Sequence, residues 1–356
     1  MHESQFRVSA TSMKAVYKQY ILEFKRPSGT SRGILQTKET WFIIISQGER
    51  KGIGECGILR GLSYDDRPDY EQMLQWTCDH IDMGPDALWE SLKEYPSIQF
   101  GVEMAFKSLS SQDPYELFPS SFTKSKAEIP INGLIWMGDQ GFMRDQIDEK
   151  LEQGFDCIKM KIGAIDIKKE LSLLRFIRSH YNKDIMTLRV DANGAFTSQT
   201  APAILSVLAS LDIHSIEQPI KAGQLSEMEA LCAATPIPIA LDEELIGVID
   251  LEKKRKLLET VRSQFIILKP SFVGGFKGSK QWITLANELG IGWWITSALE
   301  SNIGLSAIAQ WTYSLNAKGH QGLGTGSLFT NNMESPLEVR KGQLLYNPLK
   351  KWDFKL

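Results

Sequence analysis

Six charged residues stand at or near the ends of short apolar segments. Lys159 and Lys161 lie in Cys157–Ile162, Asp191 closes Thr187–Asp191 and Glu217 lies in Ser215–Gln218. Asp242 closes Ile237–Asp242 and Lys269 closes Gln264–Lys269. The three carboxylates follow one another at intervals of 26 and 25 residues, about one strand-plus-helix unit each. Carboxylates gathered in one place repel each other and raise one another's pKa unless a cation sits among them. An all-oxygen donor set favours Mg²⁺, with Mn²⁺ as the alternative, over zinc. Lys159 and Lys161 are two residues apart, so on a strand both point to the same side. Repulsion between them is expected to lower the pKa of at least one and leave a base near neutral pH. A divalent cation beside a lysine base suits removal of a proton α to a carboxylate. Solvated strand ends with ion pairs are the plain alternative, which three successive units make hard to sustain.

The elements that would position these residues begin at residue 130. Strand candidates are Pro130–Trp136, Cys157–Ile162, Thr187–Asp191, Ser215–Gln218, Ile237–Asp242, Gln264–Lys269, Gly292–Ser297 and Gly319–Leu323, with starts 22 to 30 residues apart. Amphipathic helices are expected between them, among them Gly141–Gln153, Ile167–His180, Thr200–Leu211 and Gly278–Leu289. Parallel strands need such crossovers, and a run of eight units predicts a (β/α) barrel. An open doubly wound sheet would carry a glycine-rich phosphate loop after its first strand, and none follows Asn132-Gly133. In an eight-stranded barrel the second and sixth strands are opposed, which places Lys161 and Lys269 on two sides of whatever binds between them.

The chain has 356 residues, enough for about two domains of ~150 residues. Lys and Arg total 40 against 43 Asp and Glu, without the basic excess of a nucleic-acid or anionic-membrane binder. The run Lys253-Lys254-Arg255-Lys256 reads as a solvated helix face. Cys56, Cys78, Cys157 and Cys232 form no CxxC motif, and four cysteines suit a reducing cytoplasm. Met1 to Tyr20 holds no apolar run of signal-peptide type, and Trp41 to Ile45 is far too short to cross a membrane. A small-molecule carboxylate is therefore the expected partner, and the oligomeric state is left open.

The first third reads as a separate α+β unit. Thr40–Ser46 and Lys51–Cys56 suggest a hairpin, followed by helical patterning from Asp69 to about Leu109 and a polar linker from Ser110 to Glu128. Gly342–Tyr346 suggests a strand returning to this unit. The expected division is 1–125 with 335–356 as a capping domain and 126–334 as the barrel.

The motifs Lys159-Met-Lys161, Asp191-Ala-Asn-Gly194, Glu217-Gln-Pro219, Asp242-Glu-Glu244 and Lys269-Pro-Ser-Phe-Val-Gly-Gly275 resemble the enolase superfamily, in its muconate-lactonising-enzyme-like branch. The stretch Gly52-Ile-Gly-Glu-Cys56 resembles that family's capping domain. The resemblance implies an α/β fold, a modified TIM barrel of the enolase type with an α+β cap. It further implies Asp191, Glu217 and Asp242 as Mg²⁺ ligands, with Asn193 and Glu243 behind them. Lys161 is implied as acid/base catalyst, Lys159 as its neighbour that tunes it, and Lys269 as the opposing lysine. Within the branch, Ile267–Pro270, Gly274-Gly275, Thr296–Ser301 and Gly322-Leu323 are most similar to the o-succinylbenzoate synthases of menaquinone biosynthesis. Such enzymes dehydrate 2-succinyl-6-hydroxy-2,4-cyclohexadiene-1-carboxylate through a metal-stabilised enediolate with syn loss of hydroxide. Thr296, Ser297, Gly322 and Leu323 are the implied contacts for the succinyl chain.

Alternatives with the same lysine pair are N-succinylamino acid racemases and dipeptide epimerases. The latter usually carry acids after the seventh strand, where this chain has Ile295-Thr-Ser-Ala-Leu299. A metal-binding scaffold without catalysis would not need two opposed lysines. Ser28–Gly33 reads as a flexible loop, either a lid with Arg32 facing a substrate carboxylate or an ordinary hairpin loop, and Arg60–Ser63 reads as a second lid candidate. Gly322–Gly326 suggests backbone close to the substrate, and His320 is the one histidine near a strand end at the site.

Overall fold

The computed structural model describes residues 12–30 and 33–354. Arg32 and residues 1–11 lie outside the described residues. Strands β1 (Lys14–Thr30), β2 (Gly33–Gln47) and β3 (Arg50–Gly57) form an antiparallel sheet in that order. Residues 28–30 continue the β1–β2 hairpin, with Ser28 opposite Leu35 and Thr30 opposite Gly33, and residues 31–32 between them lie outside the described residues. Strand β1 was not legible because its polar residues, such as Lys14, Lys18 and Gln19, give no apolar run.

The run Trp41–Ile45 is apolar throughout because both faces of the sheet are covered. Trp41, Ile43 and Ile45 pack with helices α1 (Tyr70–Asp79), α2 (Gly84–Ser91) and α3 (Pro96–Ser110). Phe42, Ile44 and Ile53 alternate to the other side and join the core shared with the barrel. Helix α3 lies so close to β3 that a Cβ on Gly54 would stand 1.8 Å from the Gly101 carbonyl oxygen. The Gly52-Ile-Gly motif is therefore a helix seat.

The barrel starts after β4 (Ile129–Pro130) with β5 (Gly133–Ile135), α4 (Gln140–Glu152), β6 (Cys157–Lys161), α5 (Ile167–His180) and β7 (Thr187–Asp191). It continues through α6 (Ala201–Ala209), β8 (Ser215–Glu217), α7 (Leu225–Ala234), β9 (Ile239–Leu241) and α8 (Leu251–Val261). Strand β10 (Phe265–Leu268), the short helix α9 (Pro270–Val273), α10 (Gly275–Glu288), β11 (Gly292–Ile295) and α11 (Asn302–Ser314) complete it. Strands β5 to β11 form one parallel sheet in sequence order. The expected strand Gly319–Leu323 is reduced to two bridges, Ile131 to Gln321 and Thr296 to Gly322, which close the sheet on itself. No regular helix follows it among the described residues.

Period-two alternation sorts the barrel's side chains. Ile158, Met160, Leu188, Val190, Ile216, Ile239, Leu241, Ile266 and Leu268 face the helix layer and form the main core. Their neighbours turn inward, where Ala240, Ile267 and Trp294 fill the centre as a small separate cluster. Side-chain caps start several helices: Asp139 accepts from Phe142 N at 2.9 Å, and Asp166 accepts from Lys168 N at 2.8 Å.

The Ser110–Glu128 segment is not a solvated linker, since it buries Leu117 and Phe122 in the core. The tail forms β12 (Leu337–Arg340) and β13 (Gln343–Tyr346), and β13 pairs with β4 rather than with the β1–β3 sheet. Contact with the cap comes later, where Phe354 meets Phe42 at 5.2 Å between ring centroids. The run at 253–256 is also not wholly solvated. Lys254 is 2% exposed and donates to Gln281 Oε1 at 2.8 Å, because it occupies the inward stripe of α8.

Candidate active site

Strand register brings the charges together. Lys161 pairs with Asp191 across β6 and β7, and Asp191 with Glu217 across β7 and β8. Glu217 pairs with Ala240, so Asp242 stands two residues further along the next strand. All of these side chains are buried. Lys159 donates to Glu217 at 2.6 Å and reaches Asp191 at 3.5 Å. Lys161 donates to Asp191 at 2.8 Å and to Asn193 Oδ1 at 2.7 Å, and Asn193 Nδ2 donates to Glu243 at 2.9 Å. Lys269 is paired with Asp242 and lies 3.9 Å from Glu217.

Neighbouring carboxylates hold Lys159 and Lys269 in the charged form. Burial alone would depress the Lys159 ammonium, but Glu217 and Asp191 outweigh it and hold its pKa above the ordinary value. Lys269 is likewise held up by Asp242 and Glu217 against the effect of burial. Asp191 would rise on burial, yet Lys161 and Lys159 pull its carboxyl below the usual range. At Lys159, opposite charges within a few ångströms have won over burial and over the like charge of Lys269.

Among the described residues, no three His, Cys, Asp or Glu side chains are gathered closely enough to hold a metal ion. The lysine ammonium groups lie between the carboxylates instead. The donors nevertheless suit Mg²⁺ or Mn²⁺ in kind: Asp191, Glu217 and Asp242 offer only oxygen. Glu217 Oε1 is buried without a hydrogen-bond partner, and Asp242 feels the charges of both Glu217 and Glu243. Crowded carboxylate with an unused lone pair is what a hard cation relieves.

Asp191, Asn193 and the three lysines open into a cavity of 170 Å³. Its walls include Lys159, Lys161 and Lys269, the polar Asn132, Thr296 and Ser297, and the apolar Leu59, Leu62, Leu134, Trp136, Phe272 and Leu299. Gly322 belongs to the wall, and a Cβ there would come within 2.4 Å of Thr296 Oγ1. Leu323 does not: its fully buried side chain sits in the core and borders a groove beside α4 and α11. The cap contributes Gly33, Ile34, Leu35 and Arg60. Arg60 is held by Glu39 at 2.5 Å and by Asp66 at 2.7 Å. His320 is elsewhere, with Nε2 2.8 Å from Asp156, the residue just before β6.

Sequence reasoning did not assign Asn132 or Trp136 to the site. Asn132 is 5% exposed, and its Oδ1 has no partner. A polar residue inside the apolar segment Ile129–Ile135 was the available signal. Trp136 stands 5.9 Å from the Lys161 ammonium, and Gln146 grips its backbone N–H and carbonyl at 2.9 and 3.1 Å.

Comparison with known proteins agrees with this architecture. A sequence model of the family described as "Enolase C-terminal domain-like" matches residues 142–348. The chain is similar to the o-succinylbenzoate synthase of Desulfotalea psychrophila, at 44% identity covering 94% of this chain and 99% of that protein. The crystal structure of MenC from Desulfotalea psychrophila matches with a TM-score of 0.83 and 41% identity, covering 94% of this chain and 99% of the other. The dipeptide epimerase of Enterococcus faecalis, crystallised with Mg and L-Leu-L-Tyr, matches with a TM-score of 0.82 over 94% of this chain and 97% of its own. At 19% identity that likeness speaks for the fold alone. With its barrel, its cap and a full-length relative at this identity, the chain belongs to the enolase superfamily and, within it, to the o-succinylbenzoate synthases, a family of lyases.

Proposed function

We propose that the protein dehydrates 2-succinyl-6-hydroxy-2,4-cyclohexadiene-1-carboxylate to o-succinylbenzoate, in the cytoplasm, as a step of menaquinone biosynthesis. The observation that carries this reading is the placement of Lys161 and Lys269 in one cavity with Asp191, each lysine paired with a carboxylate of the cluster. Asp191, Glu217 and Asp242 are the proposed holders of Mg²⁺, with Mn²⁺ as the alternative. A divalent cation there supplies positive charge to the substrate carboxylate as electron density moves onto it, and relieves the lysines of part of their counter-charge.

Lys161, as a neutral amine, takes the proton from the carbon bearing the carboxylate. The electron pair left behind delocalises into the carboxylate, and the C6–O bond then breaks. Lys161 returns its proton to the departing oxygen on the same face, so that water leaves and the ring becomes aromatic. Asn193 Oδ1 accepts from the Lys161 ammonium and orients it, and Glu243 orients Asn193. Lys269 lies over the ring as a cation–π partner, an interaction of ~0.5–2 kcal/mol. Leu59, Leu62, Leu134, Phe272 and Leu299 exclude water around the ring. Thr296, Ser297 and Gly322 hold the succinyl chain.

The test is a paired assay on Mg²⁺-loaded protein. One arm follows loss of the cyclohexadiene absorbance, and the other follows α-proton exchange of N-succinyl amino acids in D₂O. Fast dehydration with little exchange is expected. Exchange without dehydration would move the function to racemisation on the same groups.

A further inference from the structure

A second buried cluster lies between cap and barrel, outside the groups used above. Glu55 of β3 is fully buried and accepts from Ser301 N at 2.8 Å, Ser301 Oγ at 2.6 Å, Gly304 N at 2.8 Å and Thr40 Oγ1 at 3.0 Å. A carboxylate from the cap thus binds the N-terminus of α11, where unsatisfied N–H groups and the helix dipole favour negative charge. Glu300, next in the chain before Ser301, is also fully buried. One of its oxygens accepts from Ala298 N at 2.7 Å and the other from Ser271 Oγ at 2.6 Å. Burial pushes the Glu300 carboxyl up, and the Lys38 ammonium opposes this. Lys38 itself is 2% exposed, and its Nζ has no hydrogen-bond partner.

The two groups that Glu300 joins both border the cavity. Ala298 and Leu299 form part of its wall, and Leu299 sits at φ +64°, a conformation leucine rarely adopts. Such strain persists only where surrounding bonds hold it. Ser271 lies two residues beyond Lys269, in the short helix α9 that follows β10. We propose that Glu300 is a positioning residue: by gripping Ser271 with one oxygen and Ala298 with the other, it fixes the segment that carries Lys269 against the strained wall at Leu299. Lys38 and Glu55 bring the cap into this arrangement from behind. The inference rests on the reading of Lys269 as a group that meets the reacting ring. A displacement of ~1 Å in such a group can cost ~100-fold in rate.

The experiment uses S271A, E300Q and the double variant in the full, Mg²⁺-loaded chain. It records kcat and KM for dehydration, the melting temperature and hydrogen exchange at the 298 and 299 amides. S271A removes one oxygen's partner and leaves the carboxylate in place, so it keeps the test meaningful even where E300Q folds poorly. The expected result is a roughly tenfold loss of kcat in each single variant with KM within about twofold, no further loss in the double, and faster amide exchange in E300Q. A lowered melting temperature at unchanged kcat would make the cluster merely structural and overturn the proposal. So would a change in KM alone, or additive losses in the double variant. An inactive wild-type protein would instead refute the dehydration reading, and the amide-exchange arm would still decide whether Glu300 holds the wall.

Discussion

Two levels of one barrel use the same inward positions for opposite purposes. At the mouth, Lys159, Lys161, Asp191, Glu217, Asp242 and Lys269 face one another, and Glu217 Oε1 is left without a hydrogen bond. Deeper in, Arg189 lies two residues below Asp191 and meets neutral partners. It donates to the His320 carbonyl at 2.9 Å, and its guanidinium stacks 4.1 Å from the Trp294 ring centroid. His214 borders the same region, stacked on Phe265 and hydrogen-bonded to Ser215. A charge held by a carbonyl and a ring has no opposite charge to exchange, even though Arg189 Nε is buried without a partner, whereas charges held by other charges can be redistributed when a cation or substrate arrives. Burial of an ionisable group alone therefore does not mark a catalytic site; what it is paired with does.

The largest effect that would test this contrast is at the mouth. Lys161→Ala should lower kcat by about 10²- to 10⁴-fold, the range of a general acid–base group, with the circular dichroism spectrum unchanged. A variant retaining most of its turnover would remove the distinction. At the deeper level, Arg189→Met should cost about 1–3 kcal/mol of stability through the abandoned His320 carbonyl, read by urea titration, with kcat within about threefold of wild type. A collapse of kcat at full stability would show that Arg189 belongs to the chemistry.

The smallest effect concerns His214. Burial, Arg189 and His320 push its pKa down to about 4 from the ordinary value of 6.5. Above pH 6.5 the ring is neutral whether the chain is folded or not. As pH falls from 6.5 toward 4 the unfolded chain takes up a proton that the folded one refuses, so stability declines across that window. The ring is partly open to solvent, which keeps the slope small. Melting temperatures from pH 7 to 4.5 should show a shallower decline in His214→Phe than in wild type, with turnover at pH 7 unaltered.

Much of this was legible in the chain. Thr187–Asp191 and Ile167–His180 occur with the expected boundaries because each has a clear period and, in the helix, an aspartate cap. The six charged strand ends could be named because strand periodicity alone sends Lys159 and Lys161 to one side. Other features were hidden. The strand at 319–323 shrinks to two bridges because closure depends on Gln321 meeting Ile131, 190 residues earlier, and Gly322 meeting Thr296, 26 residues earlier. The buried side chains of Ser110–Glu128 looked polar in sequence because Leu117 and Phe122 stand among serines and lysines. Glu300 and Glu55 were unremarkable acids until the cap met the barrel.

Residue order by itself determined the barrel and the identity of the charges at the mouth, since these follow from local periodicity and strand ends. Which charges neutralise which was decided only in three dimensions. Lys159, expected to be depressed, is held charged because Glu217 and Asp191 stand close to it on the neighbouring strands, and Lys269 is held charged in the same way by Asp242 and Glu217. Register sets those distances, and register is a property of the closed sheet rather than of any segment within it.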